Sequence, residues 1–588
     1  MSTREHWSSR KAFVLAAIGS AIGLGNIWRF PFKCYESGGG AFLIAYLFAM
    51  LSAGIPLMIL ELSLGHRFKL SAPLSFAQIK KKYEWIGWLA VFVSFTITTY
   101  YAVIMAWGLN YSIFSLSQTW GQDTGAFFYN QFLKLTEGPF DLGSIQFPIL
   151  LALIVSWIVI VAAIWKGAKS VSKVVYFTVF LPWLLLIIFV IRGVTLPGAM
   201  EGLSFYLKPH FEKFLDPQIW IAAYGQVFYS LSIGFGIMIA YASFLPKESG
   251  IINSALIIAL SDGATAFIGG FAVFGALGYY AGYQGVAVET VLKGGPGLAF
   301  VSYPAIINML PLPRLFGILF FLMLLTLAVD SAFSLVESTA SSLRDKFRWS
   351  YAKSNFIVTG AAFIIGILFT TGAGLYWLDI VDKWMEVFGL SVVVFFECIV
   401  LGWFFDLDKL RTYANSYSEV KVGKWWLYLV KYLIPVAVGT LIFTEAANLI
   451  KNGYGGYPAK ALFLGGWLIV VLLLIISLLI SLLRDKRETS QDRTIIPQNE
   501  FIGKLGYARL HRYFAFLLGF GVFMLIAVLL NSHFKIFSDL ITPLIAIFVF
   551  LSLIGGAMYF AIIAIREDKH RLQWSQKIFK DEPDYPNE

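Results

Sequence analysis

The sequence predicts an all-α protein that crosses a membrane many times, with its first and sixth spans broken at mid-depth. Three observations carry this. The 588 residues are 58% hydrophobic and only 14% charged, with a mean hydropathy of +0.74, whereas a soluble globular chain carries roughly 25% charge. The apolar residues fall into runs of about 20, the length that crosses a bilayer as a helix. Two of those runs are interrupted, at Gly19-Ser20-Ala21-Ile22-Gly23-Leu24-Gly25-Asn26 and at Ser230-Leu231-Ser232-Ile233-Gly234-Phe235-Gly236.

On that ruler, spans are expected near 12–35, 41–65, 86–116, 146–165, 171–192, 217–245, 251–283, 313–343, 355–373, 376–405, 425–449 and 460–483. Two more are expected near 511–531 and 538–565. Segment 285–312 reads as an outer loop in which Gly294-Gly295-Pro296-Gly297 turns between two short helices, a candidate lid.

Alternate loops hold the basic residues: Arg4, Arg10 and Lys11, then Lys80 to Lys82, Lys166 and Lys169, Arg344 and Lys346, Lys409 and Arg411, and Arg484 to Arg493. The opposite loops are longer or acidic, as at Asp123, Glu137 and Asp141. This bias places both termini in the cytoplasm of a cell-membrane protein. The net charge of +10 therefore describes loops and gives no reason to expect nucleic acid. Cys34 and Cys398 sit in or beside apolar runs, so no disulfide framework is expected. The first apolar run is too long and too glycine-broken for a cleavable signal peptide.

A bilayer core offers no water to backbone N–H and C=O groups, so a break at that depth must line a cavity or bind something. Two broken spans in corresponding places point to a secondary transporter with a mid-membrane site. The breaks open spans one and six, which fits a five-plus-five inverted-repeat core over residues 1–405, with repeats near 1–195 and 215–405. Helices 11 and 12 would fill 406–484. Residues 485–588 would hold a cytoplasmic linker, the two extra spans and a basic tail.

The ordered motifs Gly23-Leu24-Gly25-Asn26-Ile27-Trp28-Arg29-Phe30-Pro31, Gly38-Gly39-Gly40-Ala41-Phe42, Gln226-Val227-Phe228-Tyr229-Ser230-Leu231-Ser232, Gly297-Leu298-Ala299-Phe300 and Asp330-Ser331 make the chain resemble the neurotransmitter:sodium symporters, the solute carrier 6 group and its bacterial relatives. The resemblance runs from Arg4-Glu5-His6-Trp7 to about residue 483, leaving the last two spans outside it.

Broken helices expose half-helix ends: N–H groups suit a carboxylate, and freed carbonyls suit an ammonium group or a sodium ion. A zwitterionic amino acid offers both partners. The bland alternative is that the glycines only allow close helix packing. The resemblance implies that N–H groups around Gly23 to Gly25 and the Tyr101 hydroxyl hold a substrate carboxylate. Carbonyls of Ala21, Tyr229 and Ser230 would hold its amino group. Ser20 stands where monoamine-carrying members have a carboxylate, which argues for a substrate that brings its own. The implied pocket lining of Leu24, Ile97, Tyr101, Tyr229, Ser232, Phe235 and Leu335 is mostly apolar, so a neutral, fairly hydrophobic amino acid is expected.

The resemblance also implies two sodium ions and no organic cofactor. One ion would use Ala21, Asn26, Ser230 and Asp262. The other would use the carbonyls of Gly19, Ile22 and Leu327 with the side chains of Asp330 and Ser331. Asp330 lies in an apolar helix, where an ionisable group costs about 2.5–3.5 kcal/mol on insertion scales; a cation would offset that. Asp262 is a departure, because the family usually has Asn there. Chloride-type ligands are otherwise present in Tyr46, Gln226 and Ser230, with Ala266 one turn on. An ionised Asp262 would supply the negative charge itself, so chloride is expected not to be required.

Two gates are implied. Arg29 and Asp382 would pair through water over the outer vestibule, with Tyr101 and Phe235 stacked beneath. Arg4 and Asp345 would pair on the cytoplasmic side, with Trp7 plugging the route. Glu61 is expected to anchor unwound backbone and Glu397 to serve structure. The leading function is sodium-coupled import of an amino acid by alternating access. The alternatives are a non-transporting amino acid receptor or a carrier of a related small zwitterion or amine. No nucleophile–base motif or metal-ligand spacing suggests an enzyme. The partners are a small amino acid, sodium and the lipid bilayer; the last two spans, read as lipid-facing or oligomer-contact helices, leave a homo-oligomer open.

Overall fold

A computed structural model describes residues 6–165, 167–246, 248–288 and 297–483. Arg4, the Gly294 to Pro296 turn and the spans expected near 511–531 and 538–565 lie outside the described residues. The compact body that carries the breaks comprises residues 6–443 and 455–483 of those described.

Nine continuous helices among the described residues are long and apolar enough to cross a membrane. They are Gly40–Phe68, Lys81–Phe114, Ala168–Val194, Ile251–Gln284, Pro313–Phe347, Tyr351–Thr370, Gly374–Trp403, Trp425–Asn452 and Ala459–Leu482. Helix Phe147–Ala163 is shorter and fills the place of the expected fourth span. The spans thus fall within a few residues of the sequence expectation. The outer loop was expected to hold a turn between two helices. Its described part is helical over Leu298–Asn308, and Tyr303 donates its hydroxyl to the Ile27 carbonyl (2.9 Å).

Both breaks are present. The first span runs Arg10–Ala21, with the Ser9 hydroxyl accepting from the Ala12 N–H. It resumes at Leu24–Ile27 and Arg29–Glu36. The break is narrower than the 19–26 segment expected, because Gly19, Ser20 and Ala21 stay helical. It falls where the Gly23 N–H donates to Asn26 Oδ1 (3.1 Å). In a continuous helix that N–H would serve the Gly19 carbonyl. The sixth span runs Pro217–Ser230, breaks over 231–236, and resumes at Ile237–Ser243. Gly234 and Gly236 take φ of 81° and 70°, and Ser232 takes 55°, a left-handed value that disfavours any residue with a Cβ.

Neighbouring spans hold these irregular segments. Glu61, fully buried in the second span, accepts from the Gly234 N–H (2.7 Å), the anchoring role the sequence suggested. Ser338 of the eighth span donates to the Phe235 carbonyl (2.9 Å). A Cβ on Gly65 would collide with the Ile239 carbonyl, so the second span lies backbone to backbone on the resumed sixth span, as small residues permit in membranes. On the side that carries the basic loops, Glu84 accepts from Lys346 Nζ (2.7 Å) and Trp88 Nε1 (2.8 Å). That fully buried pair ties the third span to the eighth. The third span is largely buried, whereas Ala168–Val194, Tyr351–Thr370 and Ala459–Leu482 expose most of their apolar windows, as lipid-facing helices do.

Removing the Glu61 acceptor leaves a buried N–H unpaired, at a cost of about 1–3 kcal/mol. Glu61→Leu is expected to lower the thermal midpoint of the solubilised protein, whereas Glu61→Gln, which keeps an acceptor, should lower it less. Equal midpoints for Glu61→Leu and the parent would remove this anchoring role.

Candidate functional site

The breaks face each other across a cavity of about 40 Å³. All twelve residues expected to contact substrate line it: Ser20, Ala21, Gly23, Leu24, Gly25, Ile97, Tyr101, Tyr229, Ser230, Ser232, Phe235 and Leu335. Asn26, Ile237, Ser331 and Ser334 complete the wall. No Asp or Glu is among them.

Hydroxyls cluster on this wall. Ser20 donates to Ser334 Oγ (2.8 Å), and Ser334 donates to the Ser331 carbonyl (2.8 Å). Ser232 Oγ lies 3.3 Å from Ser20 Oγ and 3.2 Å from the Ser20 carbonyl. Ser331 also donates to the Ser20 carbonyl (3.2 Å). The left-handed Ser232 is thereby fastened to the first break. The Tyr101 hydroxyl lies beside Gly23, 3.3 Å from where a Cβ would stand.

Asn26, Ser230 and Asp262 come together as expected for the first ion. Asp262 Oδ1 accepts from Asn26 Nδ2 (2.8 Å) and from the Ser230 hydroxyl (2.8 Å). The Tyr46 hydroxyl stands 3.5 Å from Oδ2. The buried Gln226 amide, one turn before Ser230, has neither of its polar atoms paired among the described residues. Ala266 is buried too and brings no charge.

Asp330 and Ser331, expected for the second ion, abut the first break from the eighth span. A Cβ on Gly19 would collide with Asp330 Oδ2, and one on Gly23 would stand 2.6 Å from Ser331 Oγ. Ile22 caps the first half-helix, its N–H on the Ile18 carbonyl (2.7 Å). Leu327 is buried one turn before Ser331. Oxygens dominate both clusters, which suits a hard cation.

The contacts of the expected outer gate differ from expectation. Arg29 reaches Asp382 directly, Nη1 to Oδ2 at 3.2 Å, rather than through water. It also pairs with Glu386 Oε2, which the sequence reading missed. Asp382 and Glu386 are four residues apart on one helix, hence on one face; that spacing was the available signal. Tyr100 holds the other Asp382 oxygen (2.7 Å). The ring stack beneath the gate runs through Tyr229: Arg29 lies 4.2 Å above its centroid, and Phe235 meets it edge-on at 6.0 Å. Tyr101 points instead to the break. At the expected inner gate, Trp7 is buried, donates to the Tyr241 carbonyl (2.9 Å) and packs on Tyr241 and Phe244. Asp345 Oδ2 accepts from the Ser71 N–H (2.8 Å), while Arg4, its expected partner, lies outside the described residues.

Comparison with known proteins gives the family. The model of the sodium:neurotransmitter symporter family matches residues 4–126 and 121–486. The chain belongs to this family. It is 42% identical over 484 residues to an uncharacterized sodium-dependent transporter of Methanocaldococcus jannaschii, covering 81% of this chain and 97% of that protein. It is 34% identical over 513 residues to the mouse (Mus musculus) sodium- and chloride-dependent GABA transporter 2, covering 80% and 84%. It is 33% identical over 530 residues to the rat (Rattus norvegicus) sodium- and chloride-dependent taurine transporter, covering 82% and 85%. The protein is therefore a sodium-dependent, multi-pass membrane transporter and not an enzyme.

We propose that the two acids paired with Arg29 share the work of closing the outer route of this transporter. Glu386→Gln and Asp382→Asn are each expected to cut sodium-driven uptake about tenfold, or about 1.4 kcal/mol. Each should speed outside labelling of a cysteine placed at Ile97; the native Cys34 and Cys398 are buried and give little background. Unchanged labelling in Glu386→Gln would exclude that residue from the gate.

Proposed function

We propose that this transporter imports a neutral amino acid together with two sodium ions by alternating access, and that Asp262 makes chloride dispensable. One observation carries the reading. The cavity is lined by residues at the half-helix ends of both breaks, Ala21 and Gly23 of the first and Ser230 and Ser232 of the sixth span, with no Asp or Glu among the lining residues. A zwitterion with no net side-chain charge is the solute that matches both halves at once. An amine lacking its own carboxylate would find no counter-charge at Ser20.

Leu24, Ile97, Phe235 and Leu335 supply apolar wall, and Ser20, Ser232 and Ser334 supply hydroxyls. This mixed lining supports a neutral side chain. The gates favour transport over mere binding: Arg29 with its two acids on one side and Trp7 on the other are contacts whose alternate breaking would open one route at a time. Two five-helix halves opening with the broken spans, and cytoplasmic termini in the cell membrane, complete the proposed frame. Net inward movement of positive charge would gain about 2.3 kcal/mol per charge per 100 mV of inside-negative potential.

Asp262 occupies the point where Tyr46 and Ser230 converge. A fixed carboxylate there balances the cations without a mobile anion. The unpaired Gln226 amide favours the second reading, in which an anion still binds beside it, as the names of the GABA and taurine relatives imply for those proteins.

Proteoliposomes under an imposed sodium gradient are expected to accumulate labelled alanine or serine, and to do so equally in chloride and gluconate buffers. Asp262→Asn should lose uptake in gluconate and regain part of it in chloride. Uptake by the parent that collapses without chloride defeats the charge-balance reading. Uptake indifferent to sodium defeats the symport reading.

A further inference from the structure

We propose that Thr178, in the fifth span, is a positioning residue that orients the Asp330 carboxylate toward the first break and so sets the affinity for sodium there. The proposal rests on the reading of Asp330 as a sodium ligand.

Asp330 is 1% exposed. Its two oxygens have different surroundings. Oδ2 lies against Gly19, so close that a Cβ there would collide with it. Oδ1 accepts from the Thr178 hydroxyl at 2.6 Å, the length of an O–H donating to a carboxylate. A bond at Oδ1 fixes the rotation of the carboxyl group and leaves Oδ2 facing the Gly19 backbone. Gly19 carries the carbonyl whose helical donor, the Gly23 N–H, has turned to Asn26. Asp330 Oδ2 and the residue whose carbonyl has lost its helical donor are thereby neighbours, and in this proposal both oxygens serve one small hard cation.

The hydroxyl is not explained by its own helix. Thr178 Oγ1 also stands 3.1 Å from the Val174 carbonyl, the usual retreat of a buried threonine. That carbonyl already has a donor, the Thr178 N–H, in a regular helix. Valine would fill the same volume and suit the lipid-depth position as well. The shorter of the two contacts goes to Asp330, and it joins the fifth span to the eighth at the first break. Thr178 carries no family motif quoted above and had no signal in the sequence beyond a polar residue in an apolar run.

The test is a sodium titration of the thermal midpoint of the full-length protein in detergent, with potassium holding ionic strength constant. A purely structural threonine would change the midpoint without sodium but not the sodium concentration that half-saturates the shift. Thr178→Val is expected to raise that half-saturating concentration about tenfold, and Thr178→Ser, which keeps the hydroxyl, to return it to within about twofold of the parent. Asp330→Asn should abolish the shift belonging to this site. If Asp330→Asn lowers the sodium response while Thr178→Val leaves the half-saturation unmoved, the role of Thr178 is overturned and the ligand reading stands. If Asp330→Asn responds to sodium as the parent does, the ligand reading fails and the proposal falls with it. The same half-saturation read from sodium-dependent uptake should move in parallel for Thr178→Val.

Discussion

Every feature of the site follows from the absence of water at the depth of the two helix breaks. An unpaired backbone group in hydrocarbon costs several kcal/mol, so each group released by a break must find a partner inside the protein or in what the protein binds. The structure accounts for many of them. The Gly23 N–H takes the Asn26 side chain, and the Ser20 carbonyl accepts from Ser232 and Ser331. The Gly234 N–H takes Glu61, and the Phe235 carbonyl takes Ser338. These partners come from spans one, two, six and eight, so the breaks are tied to helices on several sides.

Charge obeys the same constraint. Arg29 is balanced by two acids and a ring face, and Lys346 is buried on Glu84. Breaking a buried pair by removing one partner is strongly destabilising, which is why such pairs suit gates and latches better than loose surface bridges. Asp262 and Asp330 are different. Each is buried and, among the described residues, hydrogen-bonded to neutral side chains, Asp262 to Asn26 and Ser230 and Asp330 to Thr178, so a bound sodium ion is the natural complement in the proposed mechanism.

The fold was largely legible. Apolar runs gave nearly every described span to within a few residues, and the glycine clusters located both breaks. The twelve positions expected to meet substrate share one cavity because they sit at matching depths in spans one, three, six and eight. What escaped was contact between elements far apart in sequence. Glu386 and Thr178 lie in no quoted motif, and each gains its meaning from a partner more than a hundred residues away. The ring beneath Arg29 proved to be Tyr229 rather than Tyr101, a choice set by side-chain direction.

Hydropathy and the position of glycine determine, on their own, that this chain crosses a membrane and where its helices must yield, since both depend only on local composition and the length of a bilayer. The direct closure of Arg29 on two acids, the serine-lined and narrow cavity, and the threonine bond that turns Asp330 toward Gly19 were decided by the tertiary structure. Hydrogen bonds and ion pairs fall off within an ångström or two of misplacement, and no pattern along the chain specifies distances of that size between separate helices.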